Sequence, residues 1–219
     1  MLLKKSSNSK IFCLSMQRTG TTSVGQFFKD HGFKVAGYNY ERSMKWSELR
    51  FIGNYEAIFK TNGFNDFQVF EDNPWWENDF YKFLFHRFPN SKFILFKRNS
   101  DRWFDSMMSH SNGMTLGNTF RHSKLYNREL EYYENNPNKD NYKNIKTIDN
   151  LLELNEQHRE HYKRVYELRN KEVLDFFNFF DKSRLIYLEL EDPMKWIKLG
   201  AFFNIEVEEN YESHKNKSN

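Results

Sequence analysis

Apolar residues along the chain arrive in two rhythms, short unbroken runs and stripes spaced three or four apart, and the two alternate. The first run, "KIFCLS" (10–15), is aliphatic, β-branched or aromatic and is followed by a glycine-containing turn, which predicts a buried strand. Behind it Val24, Phe27, Phe28 and His31 recur at helical spacing and Gly32 stands where a C′ residue belongs, so the strand is expected to lead through a loop into a helix. "FKVAGY" (33–38) predicts a second strand closing a βαβ unit with the first, the stretch from Glu41 to Phe64 two short helical pieces, and "DFQVFED" (66–72) another buried strand. Pro74 then opens a segment with Trp76, Phe80, Phe83, Leu84 and Arg87 on one broad face, which predicts a helix. Lys92 to Lys97 is the cleanest strand, and the helix after it is expected to be capped by Ser100 or Asp101.

Residues 111–147 break the pattern: they are polar, rich in Asn and turn-prone, which predicts an insertion or lid within one domain spanning 1–219. Helical spacing resumes from Thr147 to about Phe180, "RLIYLEL" (184–190) reads as a late strand, and Pro193 stands near the start of a last helix. Strand and helix alternating in this way predict an α/β fold of three layers. Its centre is a parallel sheet of about four to five strands with helices on both faces.

Composition narrows the classes of function. With 33 Lys and Arg against 30 Asp and Glu the formal charge is +3, too balanced for the broad positive field of a nucleic-acid binder, so no nucleic acid is expected as partner. The 23 Phe, 12 Tyr and 5 Trp among 219 residues can build a sizeable core. The lone Cys13 lies in an apolar run and is expected in that core, which fits a reducing compartment. The first ten residues are too short and too charged for a leader, and no window approaches the length of a membrane span, so a cytoplasmic protein is expected.

The chemistry concentrates at the first turn. Nucleotide hydrolases place G-x-x-x-x-G-K-[ST] between strand and helix, where backbone amides and the helix N-terminus cradle phosphate and the lysine reaches the terminal groups. The matching span here is "SMQRTGTT" (15–22), with Ser15 at the first glycine and Thr21 at the lysine. What stays is an anion seat made of Thr19, Gly20, Thr21, Thr22 and Ser23, with one cation, Arg18, two residues before the glycine. A second candidate seat is Arg98, at the end of the cleanest strand, with Ser106 eight residues on. Ligands of open α/β sheets bind beyond the carboxyl ends of the strands, and two separated phosphate seats suit a bisphosphorylated nucleoside better than ATP.

"QRTGTTS" after an N-terminal strand, together with "FILFKRNSDRWFDSMMSH", resembles the two phosphate signatures of sulfotransferases that use 3′-phosphoadenosine 5′-phosphosulfate (PAPS). The likeness extends to "FED-NP-WW" and "LIYLEL" and to most of the chain outside 111–147, and is nearest to small bacterial-type members with a P-loop-like fold. The resemblance implies sulfuryl transfer from PAPS to a hydroxyl or amine of a small-molecule, glycan or lipid acceptor, without a metal, leaving adenosine 3′,5′-bisphosphate. It implies that Thr21, Thr22, Ser23 and the Gly20 amide hold the 5′-phosphate, and that Arg98 and Ser106 hold the 3′-phosphate. Arg18 stands where many relatives carry lysine, which makes its role electrostatic, at the bridging oxygen of the leaving group.

For the base that takes the acceptor's proton, Asp72 occupies the place of a histidine found two residues before a proline in the cytosolic branch, and His110 is the alternative by pKa. Asp72 can equally be an Asx-type turn before Pro74. Trp75, Trp76 and Phe80 can wall an acceptor pocket or simply be core. Two departures qualify the likeness: the family's C-terminal "RKG" is absent, which leaves Lys215 in the tail as a further candidate phosphate ligand, and Ser23 replaces a tryptophan that often follows the loop. The competing readings are a P-loop-type kinase, disfavoured by the missing lysine, and a non-catalytic nucleotide-binding relative.

Overall fold

Apolar runs with no polar side to offer water become strands buried on both faces. The computed structural model describes residues 9–110, 120–135 and 153–213, and in it five such strands pair in parallel: β1 (Ile11–Cys13), β2 (Val35–Ala36), β3 (Val69–Phe70), β4 (Lys92–Lys97) and β5 (Leu185–Glu189), in the order β2-β3-β1-β4-β5. The expected closing of β2 against β1 does not occur. Val69 lies beside both Ile11 and Val35, so β3 separates them. β2 stands at one edge, and the wholly buried β1 takes the centre between β3 and β4.

The helices are α1 (Thr21–Asp30), α2 (Tyr38–Met44), α3 (Trp46–Phe51), α4 (Tyr55–Phe59), α5 (Asn62–Asp66), α6 (Phe80–Arg87), α7 (Ser100–Ser109), α8 (Phe120–Leu125), α9 (Glu129–Asn135), α10 (Arg159–Phe180) and α11 (Lys195–Phe203). Four short helices replace the two pieces expected after β2, because Lys45 (φ 57°) and Gly53 (φ 78°) turn left-handed and Thr61 caps a new start by accepting the Phe64 N–H. The residues from Pro74 to Asp79 form turns, so that helix begins at Phe80. Pro193 precedes the last helix by two residues, outside its first turn.

By contacts the chain divides into two compact units, Met1–Arg98 with Val173–Asn219, and Asn99–Glu172. In the first, side chains alternate across the sheet with period two. Cys13, Ile94 and Phe96 face a layer holding Val24, Phe27 and Phe28 of α1 and Trp196, Leu199 and Phe203 of α11, with Phe27 stacked on Trp196 at 5.5 Å. Phe12, Leu14, Phe93 and Leu95 face the other layer, with Trp75, Phe80, Leu84 and Phe177. Each fully buried large side chain contributes roughly 1.5–3 kcal/mol. The chain returns along α1 at its end: Tyr211 packs on Phe27 and His31 and donates its hydroxyl to Asp30 at 2.8 Å, and the Ser213 hydroxyl donates to the Ser23 carbonyl at 2.9 Å.

The second unit contains residues 111–147, whose described part, 120–135, holds α8 and α9. Asn99, not Ser100 or Asp101, caps α7, because its side-chain oxygen reaches the N–H groups of both Asp101 and Arg102. Asp101 and Asp105 pair with Lys163 and Arg159 of α10 at 2.8 and 2.7 Å, and Trp103 stacks on Tyr166 at 4.3 Å. Helix α10 starts at Arg159, after a capped turn at Asn155, where the pattern predicts unbroken helix; the earlier part of that expected helix, 147–152, lies outside the described residues.

Candidate functional site

The loop from Leu14 to Gly20 is fixed before any ligand enters. Ser15, in place of a hydrolase glycine, is fully buried, and its hydroxyl accepts the Phe96 N–H at 2.7 Å, tying the loop to β4. Thr19, also fully buried, donates its hydroxyl to the Met16 carbonyl, so that hydroxyl is already engaged within the loop. Arg18 (φ 67°) and Gly20 (φ 81°) are both left-handed. That conformation is free for glycine and costs about 1–2 kcal/mol at Arg18. A Cβ at Gly20 would also meet Leu190 Cδ1 at 2.8 Å, a side-chain end that can shift, so the left-handed backbone is what calls for glycine there.

Gly20 is the N-cap of α1 and offers no side chain, and the first ladder bond is Val24 N–H to Gly20 carbonyl at 3.0 Å. The N–H groups of Thr21, Thr22 and Ser23 precede that bond, and with the helix dipole they form a ready anion seat. Thr21 and Ser23 are buried and Thr22 is exposed.

Arg98 follows β4 directly. Its Nη1 donates to the Arg18 carbonyl at 3.5 Å, and its Nε lies 3.7 Å from Glu191 Oε1. Arg18, Gly20 and Arg98 therefore meet at the carboxyl ends of two paired strands. Burial lowers the Arg18 pKa and the positive charge of Arg98 lowers it further, yet a guanidinium keeps its proton at neutral pH. An anion bound at these strand ends would relieve the repulsion between the two cations.

The remaining candidates divide. Ser106, buried on α7, and half-buried His110, which follows α7 as its C-cap, belong to the second unit; Lys215 lies outside the described residues. Asp72 is half-buried and left-handed (φ 74°), and its carboxylate accepts the N–H of Asn73 at 2.9 Å. Trp75, Trp76 and Phe80 are at most 1% exposed, so they are core and not a pocket wall. Among the described residues no group of three or more His, Cys, Asp or Glu is placed to hold a metal ion, and no helix is long and apolar enough to cross a membrane.

Three features escaped the sequence reading. Glu71, 5% exposed, occupies a slot that two glycines leave open: a Cβ on Gly25 would sit 2.9 Å from its Cγ, and one on Gly37 2.3 Å from its Oε1. Its Oε2 has no hydrogen-bond partner among the described residues. Burial first, and the charge of Asp72 second, push its carboxyl up to about 8 against the opposing pull of Lys29. Cys13 beneath it is pushed up to about 12, chiefly by burial. The second feature is the turn carrying Leu190 and Glu191 onto Gly20 and Arg98; its sequence signal was its place just past a strand end. The third is Ser213 on the first turn of α1, which nothing in the polar tail announces.

Residues 10–219 match the family model described as a sulfotransferase domain. Among solved structures, the crystal structure of a sulfotransferase from Alicyclobacillus acidocaldarius is similar at 13% identity, over 96% of this chain and 86% of that one, with a TM-score of 0.46. No curated protein matches the sequence.

Proposed function

The chain belongs to the sulfotransferase domain family, and from that premise we propose that it moves a sulfuryl group from PAPS to a hydroxyl or amine of a small-molecule, glycan or lipid acceptor. The observation that carries this reading is the meeting of Arg18 and Arg98 at the ends of β1 and β4, beside an uncapped helix N-terminus. Such a site has two cationic seats and no loop lysine, which favours a ligand with two separated phosphates over a triphosphate.

PAPS supplies the activated sulfuryl group; the residues hold it and answer its charge. The amides of Gly20 through Ser23 and the hydroxyls of Thr21, Thr22 and Ser23 hold the 5′-phosphate, Thr19 contributing backbone alone. Arg98 holds the 3′-phosphate, with Ser106 and Lys215 as its further candidates. Arg18 stabilises the negative charge that grows on the bridging oxygen as the sulfuryl group leaves. The acceptor's proton goes to Asp72 or His110. Asp72 follows β3, the strand paired with β1.

Calorimetry with adenosine 3′,5′-bisphosphate, AMP and ATP tests the donor. The bisphosphate is expected to bind at least about tenfold more tightly than either, the value of one charge-assisted contact; equal affinities overturn the reading. In the same titration Arg98→Ala is expected to lose at least about tenfold in affinity for the bisphosphate while AMP changes little.

A further inference from the structure

The turn after β5 is pinned on both sides of Glu191. Before it, the Leu190 N–H donates to the Lys97 carbonyl at 2.7 Å, carrying the β4–β5 ladder one residue beyond Glu189, and Leu190 Cδ1 lies where a Cβ of Gly20 would meet it. After it, Asp192 accepts the Met194 N–H at 2.8 Å and pairs with Lys198 at 2.5 Å. Glu191 thus projects from a fixed turn, and its carboxylate stands 3.7 Å from the Arg98 Nε. Glu191 is 35% and Arg98 28% exposed, so solvent and ligand reach the pair. The distance is that of an ion pair without a hydrogen bond, and a half-exposed pair of this kind is weak enough to exchange.

We propose that Glu191 is the resident counter-anion of Arg98, which the second phosphate of a bisphosphorylated ligand displaces on binding and which displaces that phosphate on release. This rests on the donor reading above. Before ligand arrives the carboxylate answers part of the Arg98 charge and keeps the guanidinium at the end of β4. With ligand bound, the same carboxylate opposes the incoming phosphate. Affinity is lowered and departure hastened, and a ligand with one phosphate, seated on the loop alone, is spared the exchange. Product release limits many enzymes of this kind of cycle, and a fixed competing charge shortens it without touching the reacting atoms.

The test is a cycle on the full chain: wild type, Glu191→Gln, Arg98→Ala and the double variant, titrated with adenosine 3′,5′-bisphosphate, AMP and inorganic phosphate, with release of the bisphosphate followed by stopped flow. Glu191→Gln is expected to tighten the bisphosphate about three- to tenfold, as removing one like charge a few ångströms away should, mostly through slower release. AMP is expected to change less than about twofold, and the gain to vanish when Arg98 is absent. No gain, or an equal gain without Arg98, overturns the proposal; Glu191→Ala repeats the test should the glutamine variant fold poorly. A wild type that binds AMP as tightly as the bisphosphate defeats the donor reading instead. The proposal is then decided by inorganic phosphate: a gain that depends on Arg98 upholds it, and none ends it.

Discussion

Replacing Arg18 by alanine is expected to lower turnover about a hundred- to a thousandfold while the affinity for adenosine 3′,5′-bisphosphate falls much less. The loop is held by Ser15, Thr19 and the ladder bond to Gly20, none of which uses the Arg18 side chain, so the anion seat survives the change. On the proposed reading, what is lost is a fixed positive charge at the place where negative charge grows during transfer, and one such group contributes about that factor in rate. The loss is expected to differ in kind from that of Arg98→Ala, which acts on affinity. Alanine also leaves a left-handed residue in place (φ 67° at Arg18), and Arg18→Lys controls for that strain by restoring a cation. Initial rates at saturating donor, compared with calorimetric affinities, separate the two effects. If Arg18→Ala weakened binding and turnover equally, the assignment of Arg18 to the leaving group would fail.

Glu71→Gln is expected to stabilise the protein, and to do so more as pH rises. The carboxyl titrates near 8 in the fold against an ordinary 4.5. Between those values the unfolded chain releases its proton while the folded one keeps it, so stability is lost with rising pH and the penalty levels off above 8. Three to four pH units of separation correspond to about 5 kcal/mol at most. Glutamine fills the same slot between Gly25 and Gly37 without a charge to desolvate. Denaturant unfolding at pH 5 and pH 8.5 is expected to show a small difference between variant and wild type at the lower pH and several kcal/mol at the higher. Parallel pH profiles for the two proteins would show that the carboxyl is not held neutral.

Much of this was legible beforehand, and the reasons differ by element. Strands β1, β4 and β5 announced themselves because a run buried on both faces has no polar position to blur it. Their order did not, because the choice of β3 over β2 as partner of β1 is made between segments far apart in sequence. The cap at Asn99 was missed in favour of its neighbours, since all three residue types cap well and only the backbone decides which one stands at the entrance. At the site, Arg18 and Gly20 could be read because the loop's shape dictates them, and Arg98 because it ends a clear strand. Glu71 and Glu191 could not be. Their significance is a pair of glycines on other elements in one case and a guanidinium some ninety residues away in the other.

The central position of β1 has a cost during synthesis. Its partners are residues 69–70 on one side and 92–97 on the other, so a nascent chain carries an unpaired apolar segment until both have left the ribosome. At ~5–20 residues per second that is several seconds of exposure, during which Ile11, Phe12 and Leu14 are free to stick to other chains. Slow or crowded expression should therefore penalise this protein at its first strand.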